Sequence, residues 1–274
     1  MENLNSNIDI NFTGIVVTLN EERYLSACLS RLNFCDQLIV IDLGSSDSSC
    51  SIAQSYEATL IQHKRVFCQE EVREKYIKLA KYDWIVSVDP DEILPEKVEL
   101  AFRENIRKNP NLGSINLPWV FYFRGKVLKS TVWGCKREKT ILSHKKRNRF
   151  TPYVHRGVKL LDGFESLSLP RKEEYSIKHF WADSYQELIE KHLRYIRLDV
   201  DGKSRYNNEE RFSFYKWAKE TLYGLKVNLF DFKGILNGPT GIFLSLFYAC
   251  YVNLSLLSLL RYQIRMKKIL NTKV

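Results

Sequence analysis

The sequence predicts an α/β fold in which a mostly parallel sheet lies between helices. Short apolar runs rich in β-branched residues, such as Phe12–Leu19 and Asp83–Val88, have the length and composition of buried parallel strands. Stretches with apolar residues at helical spacing separate these runs, and this alternation is typical of a parallel sheet covered by helices. Polar clusters follow three of the predicted strands, which is where ligands bind in such sheets.

The first half of the chain alternates strands and helices throughout. After the strand Phe12–Leu19, Asn20 offers an N-cap for a helix whose apolar residues recur at helical spacing as far as Leu32. The later predicted elements are a strand at Gln37–Asp42, a turn at Gly44–Asp47, a helix at Ser48–Tyr56, a short strand at Leu60–Gln62, a helix at Val66–Lys81, a strand at Asp83–Val88 and a helix at Pro95–Asn109. From Gly113 to Leu169, aromatic and basic residues with strand-like fragments predict an antiparallel, loop-rich half.

The charge of the chain is unevenly distributed. Its 274 residues include 42 Lys and Arg against 32 Asp and Glu, a net charge of +10. Residues 1–122 carry 12 basic and 18 acidic side chains, whereas residues 123–150 carry 10 and 1, and residues 184–274 carry 15 and 8. A protein that coats nucleic acid should be basic over its main domain. Nucleic acid is therefore not an expected partner.

The cysteines and the N-terminus indicate the compartment. The six cysteines form no C-x-x-C pair and no spacing typical of zinc or disulfide frameworks, which fits a reducing cytosol. Met1–Asn11 contains neither a basic nor an apolar region of the kind found in signal peptides. We therefore expect a cytoplasmic protein.

Three polar clusters mark the ends of predicted strands. They are Thr18–Glu21, Asp42–Asp47 and Asp89–Glu92. Because ligands bind outside the carboxyl ends of the strands in open α/β sheets, we expect the three clusters to line one acidic crevice.

The third cluster carries the clearest chemistry. Asp89 and Asp91 are one residue apart, so one carboxylate can bind a divalent metal while the other binds a ribose hydroxyl or the same metal. Mg²⁺ and Mn²⁺ prefer such oxygen ligands, and the metal would hold a diphosphate. The alternative is that the cluster only caps the helix that begins near Pro95.

The second cluster suggests nucleotide contacts. Asp42 could accept a hydrogen bond from a base ring N–H, and Gly44 would let the backbone approach a ligand closely. Asp47 has an alternative role as an N-cap of the next helix. No G-x-G-x-x-G follows the first strand and no G-x-x-x-x-G-K-[ST] occurs anywhere, which disfavours dinucleotide oxidoreductases and P-loop NTPases.

Three stretches carry a family resemblance. Val16–Glu22, Val40–Asp47 and Asp83–Glu92 resemble, in order and spacing, the inverting family 2 glycosyltransferases of GT-A fold. The resemblance extends to the small bacterial enzymes that add sugars to lipopolysaccharide core or other surface glycans, which also have a hydrophobic C-terminal segment. These motifs cover about the first third of the chain.

The resemblance implies the ligands of the crevice. The residues implied to bind a nucleotide-sugar donor are Thr18, Asn20, Glu21, Asp42, Gly44, Arg73 and Asp89. Mg²⁺ or Mn²⁺ is implied as cofactor, with Asp91 and His179 as ligands. Asp91 also counts as catalytic because the metal neutralises the departing diphosphate. Arg73 could instead be a solvated helix charge, and His179 a hydrogen-bonded core histidine.

The general base departs from the family pattern. Where the family typically has Val-His-Glu, this chain has Val154, His155 and Arg156, so the usual carboxylate is absent. Inverting transfer needs a base that takes the proton of the acceptor hydroxyl. His155 is the candidate catalytic base, since imidazole is a competent base near neutral pH. Carboxylate alternatives are Asp162, Glu165 and Asp183, and His155 could instead position the acceptor.

Two later segments point to the acceptor and the membrane. The basic stretch 123–150 favours a phosphorylated, acidic acceptor, unless it is a solvated loop. Gly241–Leu260 is uncharged and long enough to cross a bilayer, but four cations follow it and would then lie outside, against the positive-inside tendency. We therefore expect a shallow interfacial or re-entrant helix with Tyr248, Tyr251 and Tyr262 at the headgroups. The alternative is a buried core helix or a dimer contact.

These observations lead to one functional hypothesis and two alternatives. We expect a metal-dependent, inverting glycosyltransferase that is peripheral or monotopic at the inner face of the cell membrane. It would use a nucleotide-sugar donor and an acidic glycan or glycolipid acceptor such as lipopolysaccharide core. Residues 1–184 would form the GT-A catalytic domain, and residues 185–274 a helical region with the membrane-associating segment 241–260. The alternatives are a nucleotidyltransferase, or a degenerate transferase that only binds or scaffolds glycans at the membrane.

Overall fold

The computed structural model describes residues 10–66, 69–135, 137–151, 158–200 and 212–271. The chain divides into two compact units. Unit 1 comprises Met1–Pro118, Glu138–Pro152 and Gly157–Ile177, and unit 2 comprises Trp119–Arg137, Tyr153–Arg156 and Lys178–Val274.

The fold contains strands and helices in alternation, followed by a helical C-terminal part. The strands are β1 (Phe12–Thr18), β2 (Gln37–Asp42), β3 (Thr59–Gln62), β4 (Trp84–Val88), β5 (Glu92–Ile93), β6 (Leu112–Phe123), β7 (Lys126–Val127), β8 (Arg137–His144), β9 (Asn148–Phe150), β10 (Val158–Leu160), β11 (Glu165–Ser168) and β12 (Ile177–Ala182). The α-helices are α1 (Glu22–Ser30), α2 (Ser49–Ser55), α3 (Gln69–Tyr76), α4 (Val98–Lys108), α5 (Thr131–Gly134), α6 (Tyr185–Val200), α7 (Phe214–Lys226) and α8 (Gly238–Asn271).

The predicted parallel sheet is confirmed. All seven residues of β1 are buried, because this apolar strand pairs on both sides with parallel neighbours, β2 and β4. β3 pairs in parallel with the far side of β2. In this register Thr18 lies opposite Asp42, and Val16 lies opposite Val88. The carboxyl ends of the three central strands therefore meet at one edge of the sheet.

The helix predicted at Val66–Lys81 is shorter in the structure. It runs as α3 to Tyr76 and ends in a 3₁₀ turn at Ile77–Leu79. The backbone N–H of Lys81 donates to Gln37 Oε1 at 2.7 Å, and the N–H of Tyr82 donates to Thr13 Oγ1 at 3.3 Å. These bonds to the neighbouring strands replace helical hydrogen bonds and direct the chain into β4.

The second half of the chain extends the same sheet. The strand order in unit 1 is β3-β2-β1-β4-β8-β6, and β11 pairs with β6 off this path. In unit 2, β7 pairs with the end of β6. The predicted antiparallel pairing is confirmed for β8 with β4, for β7 with β6 and for β9 with β10. β11 is different, because it runs parallel to β6.

Helices bury apolar side chains on the sheet of unit 1. Ile15, Ile39 and Ile85 form one core layer with Val72 of α3. Phe12 contacts the ring of Phe34 edge to face, with centroids 5.6 Å apart. These layers hold the central strands, and hence their carboxyl ends, in fixed positions.

Unit 2 is helical and rich in aromatic contacts. α8 packs Leu244 into a cluster with Trp133 and Trp181. A Cβ added at the buried Gly224 of α7 would lie 3.2 Å from the ring of Tyr248, so glycine allows α7 to approach α8 closely.

The hydrophobic segment predicted at 241–260 lies within α8. The stretch Gly234–Lys268 is long and apolar enough to cross a membrane, and 44% of its apolar window is buried in the structure. Tyr248 contacts Trp133 and Tyr251 contacts His192 through ring edges. These two half-buried tyrosines therefore contact other rings of unit 2, and their place at lipid headgroups stays a prediction.

His144 makes the stability of the fold depend on pH. It lies at the end of β8, where its ring contacts Trp84 edge to face. Burial, assisted by the nearby charge of Arg147, lowers the pKa of His144 from 6.5 to about 4. Since the unfolded chain binds this proton more readily, the contribution of His144 to the free energy of unfolding is lost as the pH falls from about 6.5 to about 4.

As the pH falls from about 6.5 towards about 4, we expect the free energy of unfolding to decrease less in the His144→Gln variant than in the wild type. Urea unfolding of both proteins near pH 7 and near pH 5 measures the difference. Equal losses in both proteins would contradict the role assigned to His144.

Candidate functional site

The carboxyl ends of β1, β2 and β4 form the floor of the candidate site. The N–H of Leu43, which follows β2, donates to the carbonyl oxygen of Thr18 at 2.9 Å. The N–H of His63, which follows β3, donates to the carbonyl oxygen of Asp42 at 2.8 Å. The parallel pairing thus continues to the last residue of each strand. Side chains from the first two predicted clusters are brought together as the sequence predicted.

Side chains tie the loops after β1 and β2 to each other. Asn20 has a left-handed backbone (φ 55°), and its Oδ1 accepts the N–H of Ser46 at 2.8 Å. Glu22 Oε2 accepts the N–H of Ser48 at 3.0 Å. Asp47 Oδ2 accepts the N–H of Glu22 at 3.0 Å, and its Oδ1 accepts the N–H of Ser49 at 2.9 Å. The two loops therefore form one rigid rim, with Asp47 bonded to both.

Asp42 organises the turn after β2. Its carboxylate is fully buried and accepts the N–H groups of Gly44 and Ser45 at 3.0 to 3.2 Å. Gly44 has φ 92°, a conformation that strains any other residue. Next to this turn, Thr18 Oγ1 is buried and has no hydrogen-bond partner among the described residues. An unsatisfied buried hydroxyl at a strand end is costly, so it marks a place where a ligand can restore a hydrogen bond.

A turn follows β4 and aims the acidic residues of the third cluster. The N–H of Glu92 donates to the carbonyl oxygen of Asp89 at 3.0 Å, which closes a four-residue turn with Pro90 in its second position. Proline favours that position because its φ is fixed near −65°. In the same turn the N–H of Asp89 donates to Glu92 Oε2 at 2.8 Å. The sequence Asp-Pro-Asp-Glu therefore builds a closed, self-bonded loop.

Asp89 lies between two cations. Arg73 Nη2, from α3, donates to Asp89 Oδ1 at 2.5 Å, and Lys139 Nζ, from β8, donates to Asp89 Oδ2 at 2.6 Å. Lys139 also donates to both carboxylate oxygens of Glu92 at 2.7 Å. We call these four residues, Arg73, Asp89, Glu92 and Lys139, the Asp89 cluster. The cluster pairs two positive with two negative charges.

Charges within the Asp89 cluster outweigh the effect of burial on the pKa values of Asp89 and Lys139. Burial alone would raise the pKa of Asp89, but Lys139 and Arg73 outweigh it and hold the pKa well below its ordinary value. Burial would lower the pKa of Lys139, but Asp89 and Glu92 outweigh it and raise the pKa. The Glu92 side chain is 0% exposed, so its charge depends on Lys139 for compensation.

Asp91 belongs to the same turn as Asp89 and is 7% exposed. Both oxygens of Asp89 accept hydrogen bonds from cations. Among the described residues, no group of three His, Cys, Asp or Glu side chains could hold a metal ion. Mg²⁺ commonly binds through one or two carboxylates together with waters and substrate phosphates. In the part of the chain that the structure describes, the donor set of this turn therefore fits a metal that shares its coordination with waters and substrate phosphates.

Of the two histidines predicted to act in the site, the structure describes only His179. His179, on β12, is buried in unit 2, where its ring stacks on Trp119 at 4.9 Å between centroids and meets Phe121 edge to face. His155 and Arg156 lie outside the described residues. The carboxylate alternatives Asp162 and Glu165 are exposed in unit 1.

Sequence reasoning missed the roles of Glu92 and Lys139. Glu92 was noted only as the end of a cluster, and Lys139 only as part of the basic stretch 123–150. On β8, Lys139 lies two residues before the buried Ile141, so the period-two pattern of a strand places both on one face. A lysine on the buried face of a strand is the signal that could have identified it.

Part of the predicted basic stretch is used within unit 1. Lys145 Nζ donates to the carbonyl oxygen of Ala80, and Lys146 Nζ pairs with Asp83, both at 2.8 Å. Arg147 donates to the carbonyl oxygens of Pro110 and Leu112. These cations neutralise or bind groups of their own unit, so fewer of them are available to a ligand than the sequence suggested.

Comparisons with known proteins agree with these features. The family model described as glycosyl transferase family 2 matches residues 13–153. The lipopolysaccharide core biosynthesis glycosyltransferase LpsC of Rhizobium meliloti (strain 1021) is 36% identical to this chain over an alignment of 207 residues. The alignment covers 73% of this chain and 74% of LpsC.

Solved structures show more distant similarity. The S. aureus TarS 1-349 structure has a TM-score of 0.46 and 14% identity, over 94% of this chain and 92% of that one. Glucosyl-3-phosphoglycerate synthase from Mycobacterium tuberculosis, in complex with Mn²⁺ and UDP-glucose, has a TM-score of 0.34 and 17% identity. That match covers 43% of this chain and less than half, 45%, of the synthase chain.

Proposed function

Because this chain belongs to glycosyl transferase family 2 and is a glycosyltransferase, we propose that it transfers a sugar from a nucleotide-sugar donor to a lipopolysaccharide-core or related acidic surface glycan. The transfer is metal-dependent and inverts the anomeric configuration. The relative LpsC, by its name a lipopolysaccharide core glycosyltransferase, supports the choice of acceptor.

The observation that carries the donor site is the juxtaposition of three polar strand ends. Thr18 and Asp42 are the last residues of β1 and β2, and Asp89 directly follows β4; the register of the three strands brings these ends to one edge. Strand ends of this kind are where nucleotides bind in open α/β sheets. The unsatisfied hydroxyl of Thr18 supports a ligand at this edge, because a donor group can complete its hydrogen bonding. Asn20, Glu21 and Gly44 belong to the rim of this donor site.

The Asp89 cluster has a positioning role in this proposal. Asp89 binds the donor ribose through whichever lone pairs Arg73 and Lys139 leave accessible, and the two cations fix its carboxylate in one orientation. Arg73 is thereby placed beside the donor phosphates. A group held in advance by charged partners needs no reorganisation when the substrate binds, which is the basis of electrostatic catalysis.

Departure of the nucleoside diphosphate is assisted by Asp91. When bound, Mg²⁺ or Mn²⁺ supplies charge neutralisation for the leaving diphosphate. Asp91, in the turn after β4, would hold that ion, and the role of His179 as a metal ligand stays a prediction. The acceptor hydroxyl attacks the anomeric carbon from the side opposite the diphosphate and gives its proton to a base. His155 is our proposed base, with Asp162, Glu165 and Asp183 as alternatives.

We place this reaction at the inner face of the cell membrane. α8 supports this placement, because one side of the helix is buried while Ile242, Leu246 and Leu254 on its other side are 40% to 49% exposed. Such an exposed apolar side is expected of a peripheral or monotopic protein rather than of a fully buried core helix.

A donor panel tests the proposed function. We expect the purified protein to release the nucleoside diphosphate from one member of a panel of UDP-, GDP- and dTDP-sugars in the presence of Mn²⁺, faster with extracted lipopolysaccharide core than without. Chelation by EDTA should stop the release, and added Mn²⁺ or Mg²⁺ should restore it. Donor binding without turnover under every condition would instead indicate a degenerate, glycan-binding transferase. Turnover that EDTA does not affect would overturn the metal assignment alone.

A further inference from the structure

The outer side of α7 alternates apolar and lysine side chains. Tyr215, Lys219, Leu222 and Lys226 follow one another at spacings of three or four residues, so they lie along one side of the helix. Phe230 continues the row in the π-helical turn Val227–Asp231 that follows. We call these five residues the α7 stripe.

The α7 stripe points away from the interior of unit 2. Tyr215 is 77% exposed, Leu222 67% and Phe230 60%. The buried side of α7 contains Gly224, nine positions after Tyr215 and therefore about 180° around the helix. Asn228, also buried, donates to the carbonyl oxygen of Gly224 at 2.8 Å and accepts the N–H of Val132 at 2.7 Å. Packing thus fixes which side of the helix faces outward.

The composition of the stripe fits an anionic lipid surface. Lys219 Nζ lies 5.9 Å from the centre of the Tyr215 ring, and Lys226 Nζ lies 3.9 Å from Asp231 at the end of the row. Lysine can lay its methylene stem along an apolar surface while its ammonium group reaches phosphates. Aromatic and leucine side chains interleaved with lysines are typical of helices that lie in the headgroup region of a bilayer.

The interleaved lysines argue against a protein partner. Lysine is depleted in the cores of protein–protein interfaces, where its charge would lose water without a counter-charge. A bilayer containing anionic lipid provides phosphates at the depth of each ammonium group. Beyond the stripe, Leu236 is 79% exposed, which extends the apolar surface in the same segment of unit 2.

We propose that the α7 stripe is a docking surface for an anionic phospholipid bilayer. Tyr215, Leu222 and Phe230 enter the boundary between headgroups and acyl chains, and Lys219 and Lys226 contact lipid phosphates. This inference deepens the membrane placement proposed above and adds a contact through α7 to the one proposed for residues 241–260. It does not depend on the donor, the metal or the base.

Vesicle binding of the 274-residue chain tests the assignment. Sedimentation with phosphatidylcholine vesicles, with and without phosphatidylglycerol, measures the partition coefficient of the wild type and its variants. We expect the wild type to bind only the anionic vesicles strongly. The Lys219→Gln/Lys226→Gln variant should bind them roughly thirtyfold more weakly, since each lysine contributes about 1 kcal/mol near such a surface. The Tyr215→Ser/Leu222→Ser variant should lose at least about tenfold.

Unit 1 offers matched controls for both variants. Leu100 on α4 is 68% exposed, against 67% for Leu222. The Lys108 side chain is 67% exposed, against 66% for Lys226, and each is ion-paired with a carboxylate. We expect Leu100→Ser and Lys108→Gln to bind vesicles as the wild type does. Thermal melts of every variant confirm that the exposed substitutions leave the fold intact.

The other outcomes separate this inference from the proposed function. Binding of the α7 variants at the wild-type level would overturn the α7 assignment and leave the membrane placement standing on α8. No vesicle binding by the wild type would overturn both the α7 assignment and the membrane placement. The proposed enzymatic activity would still be decided separately, by turnover of the nucleotide-sugar donor. A dimer that dissociates in Tyr215→Ser/Leu222→Ser, without vesicle binding, would identify a second copy as the occupant and overturn the lipid assignment.

Discussion

Replacing Asp91 by Asn is expected to lower kcat/KM for sugar transfer by about 10²- to 10³-fold, the loss typical of removing one preorganised electrostatic group. Asparagine keeps the size of the side chain but removes the negative charge that would hold a metal ion. The Mn²⁺ concentration that gives half of the maximal rate should rise in parallel. Steady-state kinetics at several Mn²⁺ concentrations measure both effects.

Asp83 provides a matched control for Asp91. It precedes β4, whereas Asp91 follows it, so the two carboxylates lie at opposite ends of the same strand. Asp83 pairs with Lys146 at 2.8 Å and with Lys145 at 3.4 Å. We expect Asp83→Asn to reduce stability slightly and to leave the Mn²⁺ dependence unchanged. An unchanged rate in Asp91→Asn would show that Asp91 binds no catalytic metal.

Replacing Lys139 by Met is expected to destabilise the fold by about 3–5 kcal/mol, because it leaves the fully buried Glu92 carboxylate without its cation. The Lys139→Met/Glu92→Met variant removes both charges and should recover much of this loss, since apolar groups often replace a buried ion pair at little cost. Urea unfolding of the wild type, both single variants and the double variant gives the coupling energy between the two residues. A coupling near zero would contradict the pairing.

The double variant also tests the positioning of Asp89. It retains Arg73 but lacks the two groups that bind Asp89 from the other side, Lys139 at its Oδ2 and Glu92 at its N–H. We therefore expect a folded protein with a raised KM for the donor and a smaller change in kcat. Lys139→Arg keeps the positive charge and should restore the donor KM in part. A double variant with wild-type KM would mean that the Asp89 cluster only stabilises the fold.

The sheet was predictable because its strands carry strong local signals. β1, β2 and β4 are apolar runs bounded by polar residues, and their observed ends lie within one residue of the predicted ends. α3 was predicted less well. The predicted helix ran to Lys81, but the N–H groups of Lys81 and Tyr82 donate to the side chains of Gln37 and Thr13. These acceptors are distant in sequence, so a local helical pattern does not reveal them.

The candidate site was predictable only in part. Asp42, Asp89 and Asp91 follow strands directly, so the rule for strand ends identifies them. The partners of Asp89 could not be predicted in this way. Lys139 is 50 residues away on an antiparallel strand that inserts beside β4, and only this pairing brings its ammonium group to the carboxylate.

The sequence by itself determined the parallel sheet, the polar edge where its strands end and the family of the chain, because these depend on local runs of residues. The tertiary structure decided which of the many cations are neutralised inside unit 1 and which side of α7 faces outward. Both depend on contacts between residues that are far apart in the chain. The net charge of +10 therefore contains half-buried, ion-paired lysines such as Lys139 and exposed ones such as Lys219, which only packing distinguishes.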